Sequence, residues 1–265
     1  MTNKLLQIFR IPDLRRKVFY VLLGLLAFRA LASIPIPGID AARLDQFLNS
    51  SQIFGFFNLF SGGGLSNLSV VMLGVGPYIT ATIIMQLLTM IFPSLKVMYY
   101  EEGAIGKAKF NRYSRYLTVP LAALQSYGFL NLLKSQGVLL DLSVTGLLMD
   151  VLVITTGSLI LTWIGELIGE QKIGNGVSLI IFAGIVGDLP NIIRNAVLSF
   201  DASNVPTYVA FVILSVLIIA GVVFVNQGER KVPIAYSRRI RGNRVYGGVA
   251  SYLPLKINQA GVIPI

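Results

Sequence analysis

Six stretches of this 265-residue chain read as membrane helices: 18–33, 74–92, 113–133, 144–165, 177–193 and 207–226. A bilayer crossing takes about 20 largely apolar residues, and each stretch approaches or meets that length. A seventh apolar run starts near Asn258 and reaches Ile265, too short to cross. The composition agrees. Charged residues make up 13% of the chain, about half the share usual in soluble domains, and the mean hydropathy is +0.73. That balance excludes an ordinary water-soluble enzyme and a disordered chain. The first stretch runs straight into Ile34-Pro35-Ile36-Pro37-Gly38 without a small-residue cleavage site, so it is expected to be a retained helix rather than a signal peptide.

The 22 basic residues set the expected orientation. Lys4, Arg10, Arg15, Arg16 and Lys17 precede the first span. Lys96, Lys107, Lys109, Arg112 and Arg115 lie between the second and third. Lys172 follows the fourth, and Arg230, Lys231, Arg238, Arg239, Arg241, Arg244 and Lys256 follow the sixth. Only Arg43, Lys134 and Arg194 fall on the other side, with Arg29 inside the first span. The positive-inside rule then puts the amino terminus in the cytoplasm. The 226–256 loop carries seven basic residues against the single acid Glu229, more than topology needs. Its glycines suit a projecting hairpin with a basic tip. A polyanionic partner, RNA or an acidic protein surface, and a simply solvated loop are both compatible with that charge.

Between the first two spans, Ser61-Gly62-Gly63-Gly64 leads into an apolar segment at 65–73 that is half the length of a crossing. Glycines and Pro77 bound it, so it is expected to be a short half-helix that enters the membrane region and breaks. Discontinuous helices of this kind point to a transport path; a helix lying on the outer surface is the competing reading. In the next span Val75, Ile79, Thr82, Gln86 and Thr89 share one face at helical spacing. Such a face either lines a cavity or hydrogen-bonds a neighbouring helix. Val177, Ile181 and Gly184 make a small apolar face on the fifth span.

Several chemistries are excluded. Cysteine and histidine are absent, which removes thiolate metal sites, catalytic thiols, Ser-His-Asp triads and HExxH zinc sites. Gly174-Asn175-Gly176 lacks the third glycine and the strand of a dinucleotide fingerprint. Glu166 and Glu170 are expected at a hydrated helix end, and Trp163 as an interfacial anchor. Arg29 has no obvious acidic mate in the spans. A secondary transporter would need an intramembrane acid, and Asp150 near one span end is the nearest to one. An intramembrane enzyme would be left with unusual Ser-Lys chemistry. No catalytic residue, metal or cofactor is expected.

Five motifs carry a family resemblance: Ile34-Pro35-Ile36-Pro37-Gly38-Ile39-Asp40, Phe60-Ser61-Gly62-Gly63-Gly64-Leu65, Pro77-Tyr78-Ile79-Thr80-Ala81 with Gln86-Leu87-Leu88, Gly165-Glu166 leading to Ile173-Gly174-Asn175-Gly176-Val177-Ser178, and Tyr252-Leu253-Pro254-Leu255-Lys256-Ile257-Asn258-Gln259. Together they resemble the SecY family of bacterial protein-conducting channels over essentially the whole chain. The resemblance implies an all-α, polytopic membrane helix bundle in the plasma membrane. Residues 1–193 would be the first inverted-repeat half, spans one to five with a re-entrant plug helix at 61–73. Residues 194–265 would hold span six, the basic cytoplasmic loop 226–256 and the start of span seven. It further implies a pore ring of Val75, Ile79, Val177 and Ile181 and a plug that includes Leu65, Leu68, Val71 and Met72. A lateral gate wall would carry Thr82, Gln86, Thr89 and Gln125. Lys107, Lys109, Arg112, Arg230, Lys231, Arg238, Arg239, Arg241 and Arg244 would dock the ribosome or the motor ATPase SecA. Other implied partners are the SecE and SecG subunits, signal sequences, nascent membrane helices and bilayer lipid. The family has ten spans, so the second half is expected to lie outside these residues. The resemblance implies a channel subunit through which unfolded polypeptides are secreted and helices are inserted laterally into the membrane; a truncated non-conducting fragment or a membrane assembly scaffold is the alternative.

Overall fold

The structure, a computed structural model, describes residues 11–36, 68–139, 143–198, 205–234, 239–241, 244–246 and 251–256. Seven helices are described: α1 (Pro12–Ala32), α2 (Gly76–Ile91), α3 (Pro93–Tyr100), α4 (Gly103–Ser135), α5 (Val144–Glu170), α6 (Gly176–Leu198) and α7 (Val205–Gln227). Contacts divide the chain into two compact units, Met1–Asn195 and Ala196–Ile265. Proline sits at the start of α1, α2 and α3, where its missing N–H costs nothing. Asn175 caps α6 by accepting the Ser178 N–H at 3.2 Å. The Gly-Asn-Gly motif is thus a helix start.

Four of the six expected spans fall within a helix, while 18–33 overruns α1 by one residue and 74–92 overruns α2 by two residues at its start and one at its end. α5, α6 and α7 are each long and apolar enough to cross a bilayer. α2 and α3 meet that test only together, and they bend by 114° at Phe92, where the following Pro93 disfavours helical geometry in the residue before it. α3 was not expected from the sequence. α4 also begins ten residues before the expected third span. The loop expected to carry Lys107, Lys109 and Arg112 is therefore helical, because nothing between Gly103 and Tyr113 breaks a helix.

In the first unit the buried helix faces mix small and hydroxyl side chains with apolar ones, while large apolar side chains also cover the outside. The buried face of α4 is Gly106, Phe110, Ser114, Thr118, Ala122, Ser126, Leu130 and Leu133, while Leu124, Tyr116 and Tyr127 point outward. α5 likewise buries Thr155, Gly157, Ser158, Thr162 and Gly165 and exposes Leu148, Met149, Leu152 and Trp163. Small side chains let helix backbones approach closely when lipid supplies no hydrophobic drive between them. Most buried hydroxyls of α4 and α5 bond the preceding turn of their own helix, Thr118 to Ser114 at 2.8 Å and Thr162 to Ser158 at 2.9 Å. The outward-facing sides are apolar, as lipid requires.

Residues 68–75 join these helices. The half-helix expected at 65–73 is, over its described part, a chain of turns. The N–H groups of Met72, Gly74 and Gly76 donate to the carbonyls of Ser69, Val71 and Leu73. Leu68 and Gly74 take positive φ values of 39° and 57°, which a continuous helix does not allow. The chain after α1 pairs with this segment: Ile36 N–H donates to Leu68 and Val70 N–H to Ile34, both at 3.0 Å, around an antiparallel bridge between Pro35 and Ser69. Those two residues form the non-hydrogen-bonded pair, so proline fits without losing a donor.

In the second unit α7 is apolar on every side and none of its residues is buried. After it, β1 (Glu229–Ile234) pairs antiparallel with β4 (Ser251–Lys256), and β2 (Arg239–Arg241) with β3 (Arg244–Tyr246). The register runs from Glu229 opposite Lys256 to Ile234 opposite Ser251, then from Arg239 opposite Tyr246 to Arg241 opposite Arg244. Pro233 and Pro254 are tolerated because each strand of a two-stranded ladder has a free edge. The hairpin expected in the basic loop is thus two nested ladders.

Candidate functional site

Val75, Ile79, Val177 and Ile181 all belong to one apolar cluster. Its buried members are Val21, Phe28, Ala32, Val71, Val75, Leu161, Ile168 and Ile180, and Ile79, Val177 and Ile181 pack against them half-buried. Elements far apart in sequence supply it: α1, the 68–75 turns, α2, α5 and α6. Two glycine contacts bring them together. A methyl group built on Gly176 would strike the Gly165 carbonyl, and one on Gly157 would strike the Val70 carbonyl. No charged side chain belongs to the cluster.

The segment before α2 is divided between two clusters. Val71 sits in the one just described, while Leu68 and Met72 join Ile36, Leu130, Leu133, Val138, Leu139 and Ile154. Leu65 lies outside the described residues. Ser158 of α5 donates a buried 2.9 Å hydrogen bond to the Gly74 carbonyl.

The gate residues are not drawn together in the same way. α2 buries Pro77, Ala81, Met85 and Thr89. Of the expected polar stripe only Thr89 lies on that buried face; Ile79, Thr82 and Gln86 occupy the adjoining one, and Gln86 is exposed. The Thr82 hydroxyl donates to the Tyr78 carbonyl at 2.9 Å and that of Thr89 to the Gln86 carbonyl at 2.6 Å, both within α2. Gln125 is half-buried on α4. The periodicity located a polar face, and the face of α2 that packs, with Ala81 and Met85 at its centre, is the one beside it.

The basic residues are accessible where their side chains are described. Lys107, Lys109 and Arg112 project from the first turns of α4, with Lys109 3.4 Å from Glu102. Arg230 and Lys231 are exposed on β1. Arg239 and Arg241 lie on β2 and Arg244 on β3; Arg238 is outside the described residues. Two ion pairs had no sequence signal beyond shared depth. Arg29, for which no acid in the spans was an obvious mate, approaches Asp188 of α6 at 3.7 Å and donates to the Gly187 carbonyl at 3.5 Å. Glu166, expected to be merely hydrated, accepts from Arg115 at 2.9 Å. Trp163 is exposed on the outer face of α5, as an interfacial anchor requires. Among the described residues no acidic cluster has the makings of a metal site.

Long apolar helices with apolar outer faces, packed through small and hydroxyl side chains around a broken segment, define a multi-pass membrane protein. The chain belongs to the SecY family, whose model matches residues 69–265. It is 42% identical over 277 aligned residues to the protein translocase subunit SecY of Corynebacterium glutamicum, covering 99% of this chain and 62% of that protein. The Mycobacterium leprae protein of the same description is 40% identical, with coverage of 100% and 62%. The chain thus spans about three-fifths of the length of these curated relatives. Among solved structures it is similar to one described as "The structure of a protein conducting channel", with a TM-score of 0.60, 21% identity and coverage of 91% of this chain and 52% of that one. It is also similar to Sec61 in the canine ribosome-channel complex, with a TM-score of 0.56, 21% identity and coverage of 83% and 49%. At that identity the likeness establishes the fold.

Proposed function

We propose that this chain supplies the first half, and the beginning of the second, of a protein-conducting channel in a bacterial plasma membrane. One observation carries the reading: Val75, Ile79, Val177 and Ile181, from three separate elements, meet in a single uncharged apolar cluster beside the 68–75 turns. Branched apolar side chains without charge resist wetting and offer no site to an ion. A passing polypeptide meets no hydrogen-bond partner there that would hold one sequence. In this reading the four residues are part of the pore ring, and Leu65, Leu68, Val71 and Met72 belong to the plug that closes it.

The finer assignments follow the same reading. The basic ends of the helices face the cytoplasm, with the amino terminus there. Residues 1–193 form one half of the channel and 194–265 begin the other. α2 and α4 provide one wall of a lateral gate through Thr82, Gln86, Thr89 and Gln125. The unburied face of α2 bearing Thr82 and Gln86 supports that role. A sufficiently apolar segment would leave sideways because lipid is its better solvent, a partition with no covalent change. The exposed bases of α4 and β1, with the arginines of β2 and β3, would receive the ribosome or SecA, which supply the driving energy, and SecE and SecG would complete the assembly.

The test replaces Ile79 and Ile181 with serine and measures ion permeability of the membrane that carries the chain. A channel becomes leaky while helix content is unchanged. A scaffold shows no added permeability, and that result would overturn the reading.

A further inference from the structure

The 68–75 segment is held at two points that differ physically. At its start, two backbone hydrogen bonds tie Leu68 and Val70 to Ile36 and Ile34, beside the exposed Ile34 and Pro35. The Ile36–Leu68 bond joins two buried residues, but water can reach the Ile34 carbonyl at the exposed end and replace the bond from Val70 as it breaks. At its end, the Ser158 hydroxyl, fully buried, donates to the Gly74 carbonyl among Val71, Val75 and Leu161. Water has no access there, so this bond has no substitute. Gly157 beside it leaves no room for a side chain against the Val70 carbonyl, which seats the segment directly on the α5 backbone.

Gly74 itself has φ +57°, a conformation that glycine takes without strain, and the α2 helix starts two residues later. Backbone freedom is thus concentrated where the deepest tether sits. Ser158 spends its hydroxyl across the interface on Gly74, whereas Ser114, Thr118 and Thr162 bond within their own helices.

We propose that Ser158 is a positioning residue of the closed state. Its bond to Gly74 fixes a pivot about which the segment before residue 74 swings, and the Pro35–Ser69 pairing is the catch that lets go. The proposal rests on the channel reading above. Opening then leaves α2 and its ring residues seated on α5 while the preceding turns move away. Without the pivot, the segment returns to its seat less often and the resting channel leaks.

The experiment uses the chain expressed from its own gene in its own membrane. Ser158→Ala is expected to raise the resting ion leak about fivefold to tenfold, the population shift worth one buried hydrogen bond, with export of secreted proteins retained. Ser158→Thr, which keeps the hydroxyl, is expected to restore the seal. A leak equal in both variants, or absent in Ser158→Ala, overturns the pivot. A second test needs no change at α5. The 265 residues hold no cysteine, and a non-hydrogen-bonded antiparallel pair brings its Cα atoms within disulfide range. Pro35→Cys with Ser69→Cys is expected to stop export when oxidised and release it when reduced. Unimpaired export in the oxidised state overturns the catch. Depletion of the unaltered chain separates the two levels: if depletion leaves export intact the channel reading itself fails, and if it blocks export only the pivot is at stake.

Discussion

Gly176, the first residue of α6, lies so close to Gly165 of α5 that no side chain fits between it and the Gly165 carbonyl. This contact sets how near Val177 and Ile181 come to the residues of α1, α2 and α5 that complete their cluster. Gly176→Val is therefore expected to force α6 away from α5 and cost about 1–3 kcal/mol, the usual penalty of overpacking. Thermal unfolding in detergent measures the loss. Ion permeability should rise with it, since Val177 moves with the helix end.

The Arg29–Asp188 pair calls for a double-mutant cycle. Both side chains are incompletely buried, so each single change, Arg29→Leu or Asp188→Leu, is expected to destabilise by about 1–2 kcal/mol rather than the larger cost of a fully buried pair. The double variant should lose less than the sum, with a coupling of about 1 kcal/mol. Additive losses would show that the two charges do not act together.

At the other end of the first unit, Arg115 and Glu166 join α4 to α5. Arg115→Glu sets like charges beside each other, with Glu170 one turn further on. It is expected to lower stability by about 1 kcal/mol. Adding Glu166→Arg should recover most of that loss, and equilibrium unfolding of the three variants decides it.

The basic hairpin is expected to bind through charge. Changing Arg238, Arg239, Arg241 and Arg244 to glutamate should weaken cosedimentation with ribosomes by about tenfold or more at low salt. At high salt the difference should shrink, because screening shortens the reach of exposed charges. A loss independent of salt would indicate misfolding of the loop instead.

Span positions were legible because a run of apolar residues is a one-dimensional signal, and α1, α5, α6 and α7 cover the expected stretches. The nested hairpin was legible for a similar reason, since glycines and charges mark turns locally. What lay hidden depends on pairs. Asp188 sits 159 residues from Arg29 in the chain, and nothing local to either announces the other. The buried face of α2, Pro77, Ala81, Met85 and Thr89, was not legible because both sides of that helix carry apolar residues, and the neighbouring helices decide between them. α3 was missed because its eight residues, Pro93–Tyr100, are too few to show a period. Val75, Ile79, Val177 and Ile181 were singled out by motif likeness, and their meeting in one cluster required Gly157, Gly165 and Gly176 to bring backbones together.

The β1–β4 ladder has a mechanical side. Six paired residues on each strand span about 20 Å, and β1 starts two residues after α7 ends at Gln227. Two cross-bonded strands resist bending far better than two loose ones, so the chain leaves α7 as a strut rather than a tether. A load applied at the far end of that ladder would travel down it into the base of a membrane helix.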